Sequence, residues 1–178
     1  GLPLGFFFFF AFVCSILFCA PVHLPPLPTP PHAMPIVVLI TGCSSGIGRA
    51  LVKEYAKQKD HFVFATARNL ASIEDLKAEN VDILQMEVTD DASRRKAIDE
   101  AVKRKRKIDI LINNAGFGLF GPSADLPIDD IKKQFDTNLF ACIALIQLVV
   151  PHMSKQVRGN PIFLCEFLFF FFFFFSRL

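Results

Sequence analysis

Three closely set glycines carry the clearest chemistry in this chain. Gly42, Gly46 and Gly48 lie in Thr41-Gly42-Cys43-Ser44-Ser45-Gly46-Ile47-Gly48, with the spacing G-x-x-x-G-x-G. The apolar run Ile36-Val37-Val38-Leu39-Ile40 precedes them, and Arg49 to Lys59 follows with Leu51, Val52, Tyr55 and Ala56 at helical spacing. The pattern is a buried strand turning into a helix through a glycine-rich loop. Glycine lets the backbone approach a ligand closely, and a helix N-terminus offers unpaired N–H groups and a positive dipole, so the pair suits a pyrophosphate. The spacing has one more residue between the first two glycines than the common dinucleotide fingerprint. On spacing alone, a tight strand-to-helix turn with no ligand is an equal reading. A second stretch, Leu111-Ile112-Asn113-Asn114-Ala115-Gly116, closes another apolar run that begins at Ile108.

T-G-x-x-x-G-x-G followed by N-N-A-G resembles the short-chain dehydrogenase/reductase family, over about residues 35–159. The resemblance implies an α/β fold, a Rossmann-type doubly wound parallel sheet that binds a nicotinamide dinucleotide. It places Gly42, Ser44, Ser45, Gly46, Ile47 and Gly48 along the phosphate cradle, with the serine hydroxyls bonding phosphate or turn backbone. Glu87-Val88-Thr89-Asp90 resembles the family's D-V-T-D segment beside the adenine. Glu87 replaces the usual aspartate, and its extra methylene questions the bond to the adenine amine while keeping the slot. Asn114, Ala115 and Gly116 fall in the turn that steadies the central sheet and packs beside the adenosine ribose. Asn138 matches the family's helix asparagine, which holds a water in the proton relay. Among Ile131, Phe135, Cys142 and Ile146 it also reads as a core polar residue that bends its helix, and a buried amide there needs partners.

The reader of the adenosine ribose belongs at the end of the second strand, about 20 residues beyond the glycines. Thr66-Ala67-Arg68-Asn69 stands there without a carboxylate, the nearest being Glu74. A carboxylate would bond a free 2′-hydroxyl and repel a 2′-phosphate, whereas an arginine forks onto phosphate oxygens. Arg68 therefore argues for NADP(H), against the plainer reading of a solvated arginine at a loop start. By resemblance, hydride transfer needs a tyrosine, a lysine four residues on, and a serine, all after the fifth strand. The stretch beyond Gly159 holds no tyrosine; the one tyrosine, Tyr55, precedes Lys59 by four residues but lies in the first helix, so the match reads as chance. Within the family the nearest resemblance is to fungal NADPH-dependent 1-acyldihydroxyacetone-phosphate reductases. It rests on Ile40 to Arg49, Phe64 to Asn69 and Asn113 to Pro122. It implies reduction of a ketone on a lipid-like small molecule to a secondary alcohol, at an endoplasmic reticulum or lipid-droplet membrane surface, otherwise in the cytoplasm. A steroid or retinoid ketone is equally compatible, and intact family members form homo-oligomers. The reading from a different class is a catalytically dead nucleotide-binding fragment.

The elements that must position these residues alternate as βαβα, which implies a parallel sheet covered on both faces. Strands are expected over 36–40, 62–67, 82–88 and 109–113, and helices over 47–59, 71–79 and 92–105. Thr89, Asp90 and Asp91 supply an N-cap and an acidic first turn for the last of these. A long helix is expected from Ile128 to Val150, stopping at Pro151. Residues 160–165 are the place for strand five, although Pro161 and the following text fit it badly. The sheet is expected to be truncated after about strand five, leaving strand four an exposed edge. Lys103 to Lys107 reads as a solvated basic run complementing a helix dipole, not as a nucleic-acid patch.

The chain has 178 residues, a formal net charge of +2 and five cysteines, so one domain is expected and nothing demands nucleic acid. The cysteines show no metal spacing and read as free thiols. There are 22 phenylalanines and no tryptophan, with phenylalanine runs at 6–10 and 169–175. Residues 1–20 form an apolar segment, near the short limit of roughly 17–25 residues for a membrane helix. Residues 21–34 form a proline-rich linker, 35–160 the incomplete dinucleotide-binding domain, and 161–178 a Phe-rich tail. We read 1–33 as translated non-coding sequence with Met34 as the start, against a genuine membrane anchor. The tail reads as intron or frameshift read-through, against a membrane segment; Ser176-Arg177-Leu178 resembles a peroxisomal address only weakly.

Overall fold

The computed structural model describes residues 34–122, 124–153 and 162–165. The segment 1–33 and the tail apart from Ile162–Cys165 lie outside the described residues, and so do the expectations placed on them. The elements are β1 (Ile36–Ile40), α1 (Gly46–Ala56), β2 (His61–Ala67), β3 (Val81–Gln85), α2 (Asp91–Lys105), β4 (Ile110–Asn113), α3 (Ile128–Phe135), α4 (Ala141–Met153) and β5 (Ile162–Cys165). The strands pair in parallel in the order β3-β2-β1-β4-β5. The chain order reverses between β1 and β4, and this switch opens a crevice at the carboxyl ends of the two strands.

The continuous apolar runs follow from burial on both sheet faces. Val37 and Leu39 of β1 pack with Phe64, Ile98, Leu111 and Leu145 on the face covered by α2 and α4. Val38 and Ile40 pack with Val52, Val63, Ile73 and Ile112 on the face covered by α1 and the turns after β2. Asp90 caps α2 by accepting from Ser93 N at 2.7 Å, as the sequence implied.

Four expectations are corrected. The helix placed over 71–79 is two 3₁₀ turns, Leu70–Ser72 and Glu74–Leu76. Asn69 Oδ1 accepts from Ala71 N and Ser72 Oγ donates to Asn69 O, and such local bonds compete with a regular helix. Strand three ends at Gln85, not at Val88, because Glu87 N donates to Ser93 Oγ at 2.9 Å and turns the chain toward α2. The long helix runs past Pro151 to Met153. In the last turn that proline forfeits one backbone bond while Val149 and Met153 stay in the core. Strand five forms and pairs with the whole of β4, from Ile110 beside Ile162 to Asn113 beside Cys165. Strand four is therefore an interior strand.

The basic run is only partly solvated. Arg104 pairs with Asp82 and Glu100, Lys107 with Asp109 at 2.7 Å, and Lys105 lies 3.5 Å from the Phe62 ring centre.

Candidate functional site

A cleft of about 940 Å³ lies over the switch point and is lined by the loops after β1, β2, β3 and β4 and by one side of the 133–142 segment. Its centre is a lock between two turns. Thr41 Oγ1, at the end of β1, accepts from Asn114 N at 3.0 Å and Ala115 N at 2.9 Å. Asn114 Nδ2 in return donates to Thr41 O at 2.8 Å and Gly42 O at 3.1 Å. The glycines explain how the turns come so close. A Cβ on Gly42 would stand 2.7 Å from Ala115 Cα, and one on Gly48 2.3 Å from Asn114 Nδ2. Gly46 differs: its φ is +58° and no atom lies within 4 Å of where its Cβ would be. Gly42 and Gly48 thus serve the packing of turn on turn, and Gly46 keeps the cradle open.

Ser45 is the N-cap of α1 with extended backbone and makes no side-chain cap bond, and no acidic residue stands in the first turn. The first N–H groups of α1 and the exposed Ser44 and Ser45 hydroxyls therefore face the cleft uncommitted. This is a cradle for an anion. Ile47 lies on its exposed wall. Cys43, inside the same turn, faces the opposite way. Its N–H donates to Thr66 O at 2.9 Å, its Sγ donates to Ile40 O at 3.2 Å, and burial pushes its thiol up to about 12. It stays a neutral core residue.

Arg68 and Glu87 stand side by side on the rim at the far end of the cleft. The Arg68 side chain is 82% exposed, and its Nε lies 3.9 Å from Glu87 Oε2. Glu87 Oε1 accepts from Thr89 N at 3.3 Å and Thr89 Oγ1 at 3.0 Å. Val88 lines the slot beside them.

Asn138 sits in a π turn, Asp136–Phe140, that joins α3 to α4. The inward stripe read from constant helical spacing does not continue through it, because the wider turn rotates α3 relative to α4. No residue of α3 is buried, and Asn138 is half-buried, not buried. Its Nδ2 donates to Phe117 O at 2.8 Å and its Oδ1 accepts from Phe117 N at 3.1 Å, clamping the loop after β4. A Cβ on Gly116 would meet Asn138 Oδ1 at 3.1 Å. The amide keeps a hydrogen and a lone pair for a further partner. Behind the cleft floor, buried Asn113 has an Oδ1 with no hydrogen-bond partner among the described residues.

The structure thus brings the residues read from sequence as cofactor contacts to the cleft lining, except Gly48, which is buried behind it against Asn114. Thr41, Lys133, Asp136 and Thr137 were not among them, yet Thr41 locks the site and the other three line it. Only the T-G pair at a strand end signalled Thr41. Tyr55 and Lys59 are absent from the cleft lining; the Tyr55 ring rests 5.6 Å from that of His61, and Lys59 lies beyond the last residue of α1.

The fold agrees with the comparisons. The family model for short chain dehydrogenases matches residues 36–166, and the chain belongs to that family. It is 35% identical to human retinol dehydrogenase 8 over 137 residues, covering 72% of this chain and 43% of that protein. It is 31% identical to 3-ketodihydrosphingosine reductase of Bacteroides thetaiotaomicron, covering 71% of this chain and 45% of the relative. Among solved structures, NADPH-bound carbonyl reductase from chicken fatty liver superposes with a TM-score of 0.64 at 29% identity, covering 69% of this chain and 53% of the other. The chain spans under half the length of these curated relatives.

Proposed function

We propose that the chain binds NADP(H) across the β1–β4 switch, and that the whole protein reduces a ketone on a lipid-like substrate to a secondary alcohol. The observation that carries the cofactor reading is Arg68, an exposed guanidinium on the adenosine rim where a 2′-hydroxyl reader would be a carboxylate. The solved relative that holds NADPH supports it. In this reading the α1 N-terminus with Ser44, Ser45, Gly46 and Ile47 holds the pyrophosphate. Val88 and Ala115 flank the adenosine, and Asn114 and Gly116 fix the turn beneath it. When bound, the cofactor supplies the hydride. Asn138 positions the Phe117 loop against the cleft and offers its remaining amide valences to a relay water.

The lipid-like substrate is supported by exposed Phe117 and Phe120 at the cleft mouth, and by relatives named for retinol and 3-ketodihydrosphingosine. Our specific candidate is 1-acyldihydroxyacetone phosphate, met at an endoplasmic reticulum or lipid-droplet surface. The stretch Ile128–Met153 is long and apolar enough to cross a membrane, yet Cys142, Leu145, Val149 and Met153 are buried in the fold. Its exposed Phe140, Ile143 and Val150 support the homo-oligomer expected of intact family members. A second reading, nucleotide binding without turnover by this chain, is favoured by the position of Tyr55 outside the cleft. Calorimetric titration of the 178-residue chain with NADPH and NADH, followed by NADPH oxidation with an acylated dihydroxyacetone phosphate, tests both. Tighter NADPH binding supports the cofactor reading, and binding without oxidation selects the second.

A further inference from the structure

We infer that Glu87 limits the preference for a 2′-phosphate by acting on Arg68, and that it does not serve as the adenine contact its sequence position suggests. The inference rests on Arg68 being the reader of the adenosine ribose.

Glu87 is held at its main chain and at one carboxylate oxygen. Its main-chain N–H donates to Ser93 Oγ at 2.9 Å, and Ser93 is itself fixed by Asp90 through the α2 cap. Its Oε1 is taken by the N–H and hydroxyl of Thr89. Only Oε2 is left to face outward, and it points along the rim to Arg68 Nε, 3.9 Å away. An aspartate is one methylene shorter and could not span the same gap from the same backbone. Arg68 is held at its main chain as well, where its carbonyl accepts from Gln85 Nε2 at 3.0 Å.

A separation of 3.9 Å is too long for a hydrogen bond. The pair is a screened ion pair on an exposed rim and adds little to stability. Its consequence falls on the ligand. A 2′-phosphate that forks onto the Arg68 guanidinium must share it with a fixed negative charge, and the two anions repel through partly screened solvent. A free 2′-hydroxyl meets no such repulsion. Glu87 therefore weakens 2′-phosphate binding while leaving the unphosphorylated ribose untouched, and the chain should discriminate between the two cofactors less than Arg68 alone would dictate.

The test measures binding of 2′,5′-ADP and 5′-AMP to the full chain by calorimetry, in wild type, Glu87→Gln, Arg68→Ala and the double variant. Glutamine keeps the Oε1 acceptor for Thr89 and removes the charge. The expected result is 2′,5′-ADP affinity raised about three- to tenfold in Glu87→Gln, with 5′-AMP unchanged. The gain should shrink as salt is added and vanish when Arg68 is already alanine. Glu87→Asp, which retracts the charge, should gain part of the same selectivity. An unchanged or lower 2′,5′-ADP affinity in Glu87→Gln, an equal change for both nucleotides, or a gain that persists without Arg68 overturns the inference. If Arg68→Ala binds 2′,5′-ADP as tightly as wild type, the reader assignment itself falls. If Arg68→Ala is weakened and Glu87→Gln is neutral, only the role of Glu87 falls.

Discussion

The two ends of the cleft are built by different means. At the glycine-turn end, backbone meets backbone: Thr41, Gly42, Gly48 and Asn114 interlock at distances that leave no space for a Cβ. At the Arg68 end, two exposed side chains face each other across 3.9 Å with solvent around them. The first is specified by packing and cannot be altered without disturbing two strand ends. The second can change by single substitutions at little structural cost. In the proposed reading, one end serves the binding of a dinucleotide and the other the choice between two of them.

The sharpest way to break this contrast is Gly48→Val. Its Cβ would collide with Asn114 Nδ2 and Gly42 O, so we expect a loss of about 3 kcal/mol or more, on the order of 10 °C in Tm. Binding of NADPH and NADH should be lost together. A stable variant that still binds either one would show the two turns to be less tightly coupled than the distances state. Thr41→Val comes next. It removes the acceptor of two half-buried N–H groups, and leaving donors unpaired away from water costs about 1–3 kcal/mol. Urea unfolding should register that loss, with both nucleotides weakened alike.

At the other end, Arg68→Asp should leave the urea midpoint nearly unchanged. It should reverse the order of NADPH and NADH affinity, by about ten- to a hundredfold in the ratio for an exposed charge-assisted pair. Equal affinities before and after would remove Arg68 as the reader. Ser45→Ala is the finest test. An ordinary N-cap serine contributes about 1 kcal/mol, but Ser45 makes no cap bond. Thermal stability should therefore move by less than about 0.5 kcal/mol while affinity for both nucleotides falls severalfold, placing that hydroxyl on the ligand and not on the helix.

Much of this was legible in the residues. The βαβα order, both apolar faces of β1, the glycine turn and the N-N-A-G turn follow from local pattern. Continuous apolar runs mark strands buried on both sides, and glycine spacing marks a backbone that must pass close to something. What the glycines pass close to is a matter of distance between segments some 70 residues apart, and no periodicity encodes it. Hence the sequence alone does not show that Gly42 and Gly48 also pack turn on turn, and it gives Thr41 no role. Constant helical spacing turns Asn138 inward, whereas the π turn shifts the phase at that residue. The residues flanking strand five fit a strand badly, yet it pairs along the whole of β4, since ladder hydrogen bonds depend on the neighbour's backbone more than on propensity. The sequence by itself determined the class of fold, the glycine turn that opens α1 and the positive charge just beyond β2. Only the tertiary structure decided which glycine leaves room for a ligand and which carboxylate stands beside Arg68. Both are contacts between chain segments that meet only when the sheet has closed.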